Sequence, residues 1–372
     1  MQYKLKFKDE DVIYFEIKKT LDGIIVSNVQ IINSKLKPID LDVHNIDKWL
    51  KRRTVPSNRA YVSIFLSKIG LNEKDIIGII NISKALSLND CYWIVPFDFE
   101  GNFDTYNLYD NRFSNILSSI AFTGYGSEVK SSFKSSPEFT TNGMLAKCWR
   151  RISGKILLYK SGTEGTANSG KEPYSEYLAY QIAEKMEINA TKYNLNTWKE
   201  KLCSTCKLFT SKDLSFIPAG SIIKSGGIIS ILDYYQNLGK EYYKELITMF
   251  LFDAIIFNTD RNLGNFGFLI DNNTNKIVSL APVFDNGLSL FCYSLDNTYE
   301  SMLEYSKTRA PALYDDFIEI LKGRITKENQ EQLRKLINFK FKAHSKYNMD
   351  PNRIKIIEQI IQERVHTLLN IN

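Results

Sequence analysis

The sequence predicts a two-lobed α+β protein, with a β-rich N-terminal lobe and a mainly helical C-terminal lobe. A chain of 372 residues is long enough for two lobes. Three apolar runs within the first 36 residues are separated by polar turns, which is typical of strands. The C-terminal third shows helical signals instead, such as Asp350-Pro351 at the start of an apolar segment. The hydrophobic content of 44% and the charged content of 24% are ordinary for a globular protein.

The first elements are predicted from the apolar pattern in chain order. Ile77–Ile82 is a short apolar run, which we interpret as a strand or a buried segment. The other predictions are strands at residues 3–7, 12–17, 24–32 and 92–99, and helical structure from 46 to 71 with a break near Pro56.

A loop of small and polar residues precedes the next two predicted strands. The loop includes Thr140-Thr141-Asn142-Gly143, and the strands are predicted at residues 144–149 and 155–160. Backbone N–H groups of such a loop can bind phosphate oxygens. Nucleotide contacts are therefore most expected between residues 131 and 171.

A helix and a hinge are predicted next. Pro173 suits a first helical turn, and apolar residues recur at helical spacing up to Glu187. Residues 208–211 and 214–217 flank Lys212-Asp213. We interpret them as the last strand of the N-terminal lobe and a hinge that would face an adenine.

The motif with the clearest chemistry is Asp260-Arg-Asn-Leu-Gly-Asn265, with Asp285 twenty positions further on. Protein kinases use this order: a base Asp, a metal-binding Asn five residues later, and then a metal-binding Asp. A carboxylate can accept the proton of an attacking hydroxyl, while an amide oxygen and a second carboxylate are hard ligands that suit Mg²⁺. The motif therefore predicts phosphoryl transfer.

The segment before the motif predicts a rigid support for it. Leu246–Phe257 is nearly all apolar and predicts a buried helix that runs into the Asp260 loop. It is too short, and through Asp253 too charged, to span a bilayer, which needs about 20 apolar residues.

The segment after the motif predicts a β-hairpin. Apolar runs at residues 266–270 and 276–280 flank an Asn-rich turn. Such a hairpin would return Asp285 close to Asn265. As an alternative, these Asp and Asn residues are only turn formers, but turn chemistry does not account for the whole ordered set.

Lys160 and Glu176 fit a second kinase feature. In kinases a strand lysine holds the α- and β-phosphates and pairs with an acid from the next helix. Lys160 ends a predicted strand and Glu176 lies in the first turns of the predicted helix. Either residue alone is an ordinary surface charge, so the pairing is predicted only because the Asp260 motif follows.

A second glycine motif, Gly165 to Lys171, fits G-x-x-x-x-G-K. A Walker A loop requires Ser or Thr next, whose hydroxyl binds Mg²⁺. Here Glu172 and Pro173 follow. We interpret the motif as a flexible linker into the helix.

The charge and the cysteine usage of the chain give no pattern of a nucleic-acid-binding module, a disulfide framework or a zinc site. The net charge of +6 is diffuse, and no pattern of a nucleic-acid-binding module accompanies it. The basic stretch from Arg334 to Lys355 is either a solvated helix face or a docking surface for an acidic partner, RNA or a phosphorylated substrate.

The five Cys are scattered, which favours a reducing compartment over a disulfide framework. Cys203 and Cys206 form a C-x-x-C without further zinc ligands nearby, and the three His lie far from the acidic motif in sequence.

On these residues the chain resembles the HipA-like kinases, most closely the CtkA-type branch. The two most specific matches are Asn258–Asn265 and Leu280–Leu290. The moderate matches are the Thr140–Lys147 loop, Glu176 after Lys160, and Arg53–Arg59 with the helix that follows it.

The resemblance implies a bilobal, protein-kinase-like (HipA-like) fold and ATP- and Mg²⁺-dependent protein Ser/Thr kinase activity. By position, Asp260 would be the catalytic base, and Asn265 and Asp285 would hold Mg²⁺. Lys160 would contact the ATP phosphates. The residues expected to cover the phosphates are Thr140, Thr141, Asn142, Gly143 and Lys147. Thr140 or Thr141 would be the autophosphorylation site.

The resemblance also carries expectations for organisation and partners. We expect an N-terminal subdomain at residues 1–125, a nucleotide-binding part at 126–211 and a helical lobe at 212–372. A protein substrate with a Ser or Thr acceptor, a toxin-like role and a separate antitoxin-type partner are expected. The N-terminus shows no signal-peptide pattern, so a cytoplasmic location is expected, with delivery to another cell left open.

One departure and two alternatives remain. Asn262 stands where many relatives have His, which concerns local loop packing rather than the base or the metal ligands. A phosphoinositide kinase would need a basic loop after Asp285, yet residues 286–300 hold no Lys or Arg. A non-catalytic nucleotide-binding protein would be expected to lack the base or a metal ligand, and none is missing.

Overall fold

The computed structural model describes residues 1–371 except 21–22, 128–135, 166–169 and 296. Its strands are β1 Gln2–Phe7, β2 Glu10–Thr20, β3 Gly23–Ile31, β4 Tyr92–Pro96, β5 Lys147–Ile152, β6 Lys155–Ser161, β7 Tyr193–Trp198, β8 Lys201–Lys207, β9 Leu214–Pro218, β10 Gly267–Asp271 and β11 Lys276–Leu280. Its helices are α1 Ile46–Arg52, α2 Val62–Ser67, α3 Ile76–Ser83, α4 Phe103–Tyr106, α5 Asn115–Thr123, α6 Glu172–Lys185, α7 Ala219–Ile222, α8 Gly227–Leu238, α9 Lys240–Ile256, α10 Tyr299–Lys307, α11 Lys327–Arg334 and α12 Pro351–Leu369. The α+β prediction is confirmed.

Contacts divide the chain into two compact units. The first consists of residues 1–160, 207–217 and 269–278, and the second of 161–206, 218–268 and 279–372. The predicted three-part division at residues 125 and 211 stays a prediction.

The first unit is built on a four-stranded sheet in the order β3-β2-β1-β4. Strands β1 and β2 pair antiparallel, as do β1 and β4. Alternate residues of these strands form a core with α1, whose centre includes the fully buried Trp93. This sheet confirms the strands predicted at the N-terminus and at residues 92–99.

The first unit also holds the predicted hairpin of β5 and β6. The two strands pair antiparallel, with Lys147 opposite Lys160. Strands β11, β10 and β9 form a separate three-stranded sheet in that order, which confirms the predicted hairpin after residue 266.

Two predicted elements differ in the structure. Ile77–Ile82 lies in helix α3, so the strand alternative is wrong there; Asp75 caps this helix by accepting a hydrogen bond from the backbone N–H of Gly78. Residues 208–211 are not in a strand, because β8 ends at Lys207 and β9 begins at Leu214.

The second unit is mainly helical. Helix α9 is its centre: Leu246, Ile247 and nearly every later residue of the helix are buried. Helix α12 begins after the cap Asp350, as predicted, and buries one face against α9 and α11. Among the helices of the described ranges, none has the length and apolar character required to cross a membrane.

Candidate active site

The chain leaves helix α9 by a sharp turn that presents the Asp260 loop. Phe257 adopts a left-handed conformation at the helix end, with φ of 54°. The backbone N–H of Asn258 still bonds the carbonyl of Asp253, at 3.0 Å. The buried helix therefore fixes where the loop begins, as the apolar segment predicted.

The Asp260 side chain is oriented by two asparagines of its own loop. Asn262 Nδ2 donates to Asp260 Oδ1 at 3.0 Å. Asn265 Nδ2 donates to the Asp260 carbonyl at 2.8 Å and approaches its Oδ2 at 3.4 Å. The side chain is half-buried, so a fixed carboxylate still reaches solvent, which suits a general base.

A buried arginine next to Asp260 holds the loop together. The Arg261 guanidinium makes a bidentate ion pair with Asp253, at 2.9 Å for both bonds, and side-chain exposures are 1% and 0%. Asn258 Nδ2 also donates to Asp253, at 3.0 Å. Burial acts to lower the pKa of Arg261, but the Asp253 carboxylate outweighs it and raises this pKa. The guanidinium is therefore held charged in the interior.

The same guanidinium links the two loops that carry the predicted metal ligands. Arg261 Nη1 donates to the carbonyl of Asn265 at 2.9 Å and to that of Phe284 at 2.5 Å. Its Nη2 donates to Asn286 Oδ1 at 2.6 Å. Because Phe284 and Asn286 flank Asp285, one buried side chain positions both ligand loops.

Asp285 lies in a strained turn that is tied to helix α6. Its φ is 57°, a left-handed conformation that few non-glycine residues adopt, and such strain is concentrated at functional sites. Its backbone N–H donates to the Tyr193 hydroxyl at 3.2 Å. Burial raises the pKa of Tyr193, and the Glu176 and Asp285 carboxylates act in the same direction. The phenol therefore stays protonated between them.

Glu176 of α6 contacts the residue after Asp285. Its Oε2 accepts a hydrogen bond from the backbone N–H of Asn286 at 2.8 Å, and the side chain is buried. Ser175 Oγ donates to the carbonyl of Ser289 at 2.9 Å. Helix α6 is thus fastened to the Asp285 loop.

The side-chain oxygens of Asn265 and Asp285 are of the type that Mg²⁺ prefers. The amide nitrogen of Asn265 is engaged with Asp260, which leaves Oδ1 as the atom that can bind a cation. The described residues contain no cluster of three or more His, Cys, Asp or Glu that could hold a metal. Mg²⁺ typically takes one or two protein oxygens and keeps waters and phosphates as its other ligands, so the oxygens of Asn265 and Asp285 are compatible with the predicted Mg²⁺ site.

The predicted phosphate loop lies in the first unit, over Lys147. Lys147 and Lys160 are both 5% exposed and stand opposite each other on β5 and β6. Gly143 has φ of 95°, and a Cβ at this position would lie 2.0 Å from Lys147 Nζ. The positive φ favours glycine at this position, and a side chain here would displace the Lys147 ammonium group.

A buried ion pair anchors the start of this loop. Arg59 Nη2 pairs with Glu138 Oε2 at 2.9 Å and donates to the Lys147 carbonyl at 2.5 Å. Its Nη1 donates to the Glu138 carbonyl at 2.9 Å. Glu138 Oε1 accepts from the backbone N–H of Trp149 at 2.8 Å. Both ends of the loop are thereby held by Arg59 and Glu138.

The two threonines of the loop differ in exposure. Thr140 is buried, and its hydroxyl donates to the carbonyl of Leu86 at 2.8 Å. Thr141 is half-buried; its hydroxyl donates to the Pro137 carbonyl at 2.7 Å and accepts from Trp149 Nε1 at 3.1 Å. Either hydroxyl would have to leave these partners to be phosphorylated. Residues 166–169 of the G-x-x-x-x-G-K motif and 131–135 of the predicted nucleotide region lie outside the described residues.

Known proteins resemble this chain in part of its sequence and in its fold. No protein-family profile matches the chain. Over 211 residues the chain is 24% identical to the serine/threonine-protein kinase CtkA of Helicobacter pylori. In sequence the chain is thus similar to a kinase of the CtkA type. The matched stretch covers 53% of this chain and 63% of CtkA, so the chain spans less than two thirds of that relative.

Two solved structures show the HipA-like fold. The crystal structure of the Helicobacter pylori proinflammatory kinase CtkA matches with a TM-score of 0.51 and 18% identity, covering 62% of this chain and 91% of that one. HipA of Shewanella oneidensis, in its complex with HipB and operator DNA, matches with a TM-score of 0.59 and 10% identity over 100% of both chains. At these identities the likeness concerns the fold, and the predicted HipA-like fold is confirmed.

Within this HipA-like fold the predicted site residues fall into two groups. Asp260, Asn265, Asp285 and Glu176 belong to the second unit, where Arg261 and Asn286 connect them. The first unit holds Lys160 with Lys147, Thr140, Thr141, Asn142 and Gly143. The roles of all these residues, and the pairing of Lys160 with Glu176, stay predictions. The supporting side chains Asp253, Arg261, Asn286, Tyr193 and Glu138 were not assigned from the sequence.

Glu138→Ala is expected to destabilise the protein by about 3–5 kcal/mol, because it leaves the Arg59 guanidinium buried without its carboxylate. Urea unfolding of the variant and the wild type measures this. Glu100→Ala, at an exposed position of the same unit, should unfold like the wild type. Equal stability of the Glu138 variant and the wild type would contradict an anchoring role for this ion pair.

Proposed function

We propose that this chain is an ATP- and Mg²⁺-dependent protein serine/threonine kinase of the HipA-like type. The observation that supports this best is the buried Arg261 guanidinium, which bonds the carbonyl of Asn265, the carbonyl of Phe284 and the side chain of Asn286. A turn-forming set of Asp and Asn would need no such support. A site in which a base and two metal ligands must keep fixed relative positions does need it.

In the proposed reaction Asp260 accepts the proton of a Ser or Thr hydroxyl. The hydroxyl oxygen forms a bond to the γ-phosphorus of ATP as the bond to the bridging oxygen of ADP breaks. Asn262 holds Oδ1 of Asp260 at 3.0 Å. One carboxylate oxygen is thus kept in place while the other can face the substrate hydroxyl.

Asn265 Oδ1 and the Asp285 carboxylate are the proposed ligands of Mg²⁺. The bound ion would neutralise charge on the β- and γ-phosphates. Glu176 and Tyr193 would keep the Asp285 loop in its strained conformation through their backbone contacts. Lys160 and Lys147, with the Thr140–Gly143 loop, are the proposed phosphate-binding groups of the first unit.

One incubation tests which kind of molecule accepts the γ-phosphate, because the label can end on protein, in lipid or on neither. Purified wild type is mixed with [γ-³²P]ATP, Mg²⁺, a generic protein substrate and phosphoinositide vesicles. Label on Ser or Thr of protein supports the proposal. Label in lipid would instead identify a phosphoinositide kinase, and bound ATP without any transfer would identify a non-catalytic nucleotide-binding protein.

Asp285→Asn is expected to weaken the Mg²⁺-dependent part of ATP binding about tenfold, since it removes one charged oxygen ligand from the cation. Calorimetric titration with ATP, at saturating Mg²⁺ and again with chelator, separates the Mg²⁺-dependent part of ATP binding from the Mg²⁺-independent part. Asp233→Asn, at an exposed position of α8, is the control and should bind like the wild type. An unchanged Mg²⁺ dependence in the Asp285 variant would remove this residue from the metal site.

A HipB-type antitoxin partner, a toxin-like role and autophosphorylation at Thr140 or Thr141 are finer proposals. The partner proposal rests on the likeness to HipA alone, which was crystallised with HipB and operator DNA. Co-purification with the product of a neighbouring gene tests the partner. Growth arrest on expression, relieved in the Asp260→Asn variant, tests the toxin-like role.

A further inference from the structure

A cavity beside helix α6 lies apart from the candidate active site. Its volume is about 480 Å³, which is within the range of sites that bind organic groups. Its wall on this helix consists of Tyr174, Tyr177 and Leu178. Helical geometry places these residues on the face opposite Ser175 and Glu176, which bond the Asp285 loop. The proposed phosphoryl transfer therefore leaves this cavity without a role.

The inside of the cavity is aromatic and aliphatic. Besides the residues of α6, the lining includes Phe341, Tyr347, Met349 and Ile354. Each of these four side chains is half-buried, so part of its surface still faces solvent. Covering such surface with an apolar group removes it from water, which is favourable. The cavity therefore suits an aromatic or aliphatic side chain.

The wall opposite α6 is held in place by side chains, although it contains no helix or strand. It belongs to the segment between α11 and α12. Gln181 of α6 accepts from the backbone N–H of Lys342 at 2.8 Å and donates to its carbonyl at 3.2 Å. Asn348 exchanges two bonds of 2.7 Å with the backbone of His344, and its carbonyl accepts from the Tyr174 hydroxyl at 3.3 Å. The cavity is thus formed before anything binds, which lowers the cost of binding.

The mouth of the cavity is positively charged. Lys342 and Lys355 line it and are exposed, and Lys346 is an exposed lysine of the same wall segment. None of these three ammonium groups has a hydrogen-bond or ion-pair partner in the described part of the chain. Glu358, which also lines the cavity, is already paired with Lys340 at 2.8 Å. Three positive charges are therefore left for the carboxylates of a partner to complement.

We propose that this cavity receives an aromatic or large aliphatic side chain from an acidic peptide segment of another protein. The inserted side chain would lie against Leu178, Met349 and Ile354. Acidic residues on either side of it would pair with Lys342 and Lys355. A small monocarboxylate would neutralise one of the three lysines, which favours a segment that carries several acids.

The aliphatic part of the lining favours a peptide over single-stranded RNA. An RNA backbone would match the charge of the lysines equally well. Recognition of unpaired bases, however, depends on stacking and on hydrogen bonds to base edges. Leu178, Met349 and Ile354 offer neither a flat ring nor a polar atom of this kind.

Calorimetric titration of the full chain without ATP tests the proposal with the peptides acetyl-Glu-Glu-X-Leu-Glu-Glu-amide, in which X is Trp, Phe or Leu. At least one of them should bind saturably, and more weakly as salt is added. Replacing X and Leu by Ser, or all Glu by Gln, should each weaken binding at least about tenfold, because both the apolar and the charged contacts are needed. Equal binding of the three forms, or no saturable binding of any acidic peptide, would overturn the proposal.

Variants of the protein locate the binding site. Lys342→Gln combined with Lys355→Gln should weaken peptide binding about tenfold. Ile354→Ala should weaken it severalfold, while urea unfolding shows an intact fold. Lys240→Gln combined with Lys327→Gln removes the same charge at exposed positions outside the lining and should leave binding unchanged. Wild-type affinity in the Lys342 and Lys355 double variant would overturn the proposal.

A short oligouridylate, titrated in the same way, provides the comparison with RNA. Binding of the peptide with little or no binding of the oligonucleotide supports the proposal. Tighter binding of the oligonucleotide, lost in the Lys342 and Lys355 double variant, would overturn it and identify a nucleic-acid site. These titrations require neither ATP nor Mg²⁺, so their outcome is independent of the phosphoryl-transfer assays.

Discussion

Asp260→Asn is expected to reduce phosphoryl transfer by about 10² to 10⁴-fold, the usual contribution of a positioned general base. The substitution keeps the shape of the side chain and leaves an oxygen that can accept from Asn262 Nδ2. It removes the charge that accepts the hydroxyl proton. The rate constant for label transfer from [γ-³²P]ATP at saturating protein substrate measures the loss.

Measuring ATP binding by the Asp260→Asn variant distinguishes loss of the base from loss of the fold. Asp260→Asn should bind Mg²⁺-ATP with wild-type affinity, because the proposed metal ligands are Asn265 and Asp285. Asp315→Asn, an exposed acid elsewhere in the second unit, should keep wild-type transfer. Transfer by the Asp260 variant at the wild-type rate would show that another group accepts the proton.

Arg261→Met is expected to destabilise the protein by about 3–5 kcal/mol, because it leaves Asp253 buried without its cation. Asp253 is 0% exposed and would keep only the Asn258 amide from the present set of side-chain donors. The carbonyls of Asn265 and Phe284 would lose their shared donor as well. We expect urea unfolding to shift accordingly and kinase activity to fall.

A conservative variant distinguishes stability from positioning. Arg261→Lys keeps a positive charge next to Asp253, but it cannot make the fork of bonds that a guanidinium makes. It should therefore lose less stability than Arg261→Met and still lose most of the activity. Arg334→Met, at an exposed position, is the matched control. Full activity in Arg261→Lys would show that the two loops hold their positions without the guanidinium.

The elements with strong local patterns were predictable from the sequence. The alternating strands β1 and β2, the buried helix α9 and the hairpin of β10 and β11 appear where their apolar periodicity predicts them. Helix α12 begins after Asp350 because a capping side chain and a proline at the first turn act together. These features depend on neighbours in the chain, which a sequence displays directly.

Helix α3 shows where local pattern was insufficient. Its sequence is rich in isoleucine, whose branched side chain favours strands, and it contains a glycine. The cap at Asp75 and the burial of Ile79 and Ile80 against the rest of the unit favour the helix. Tertiary packing therefore overrode a residue preference of a few tenths of a kcal/mol per position.

The candidate site likewise contains residues that the sequence reveals and residues that it does not reveal. The spacing of Asp260, Asn265 and Asp285 is visible in the sequence because the chemistry itself requires it. The supporting contacts are not, since Arg261 and Asn286 are 25 positions apart and Arg59 and Glu138 are 79 apart. An acid inside an apolar helix, such as Asp253, is the one sequence signal that could have revealed a buried partner.

The measurement that tests the central proposal most directly is transfer of the γ-phosphate by the wild type as Mg²⁺ is titrated from full chelation to saturation. A Mg²⁺-dependent protein serine/threonine kinase should show no transfer under chelation, saturable transfer with Mg²⁺, and label recovered as phosphoserine or phosphothreonine. Transfer that persists under full chelation, or tight ATP binding without transfer to any protein at saturating Mg²⁺, would contradict it.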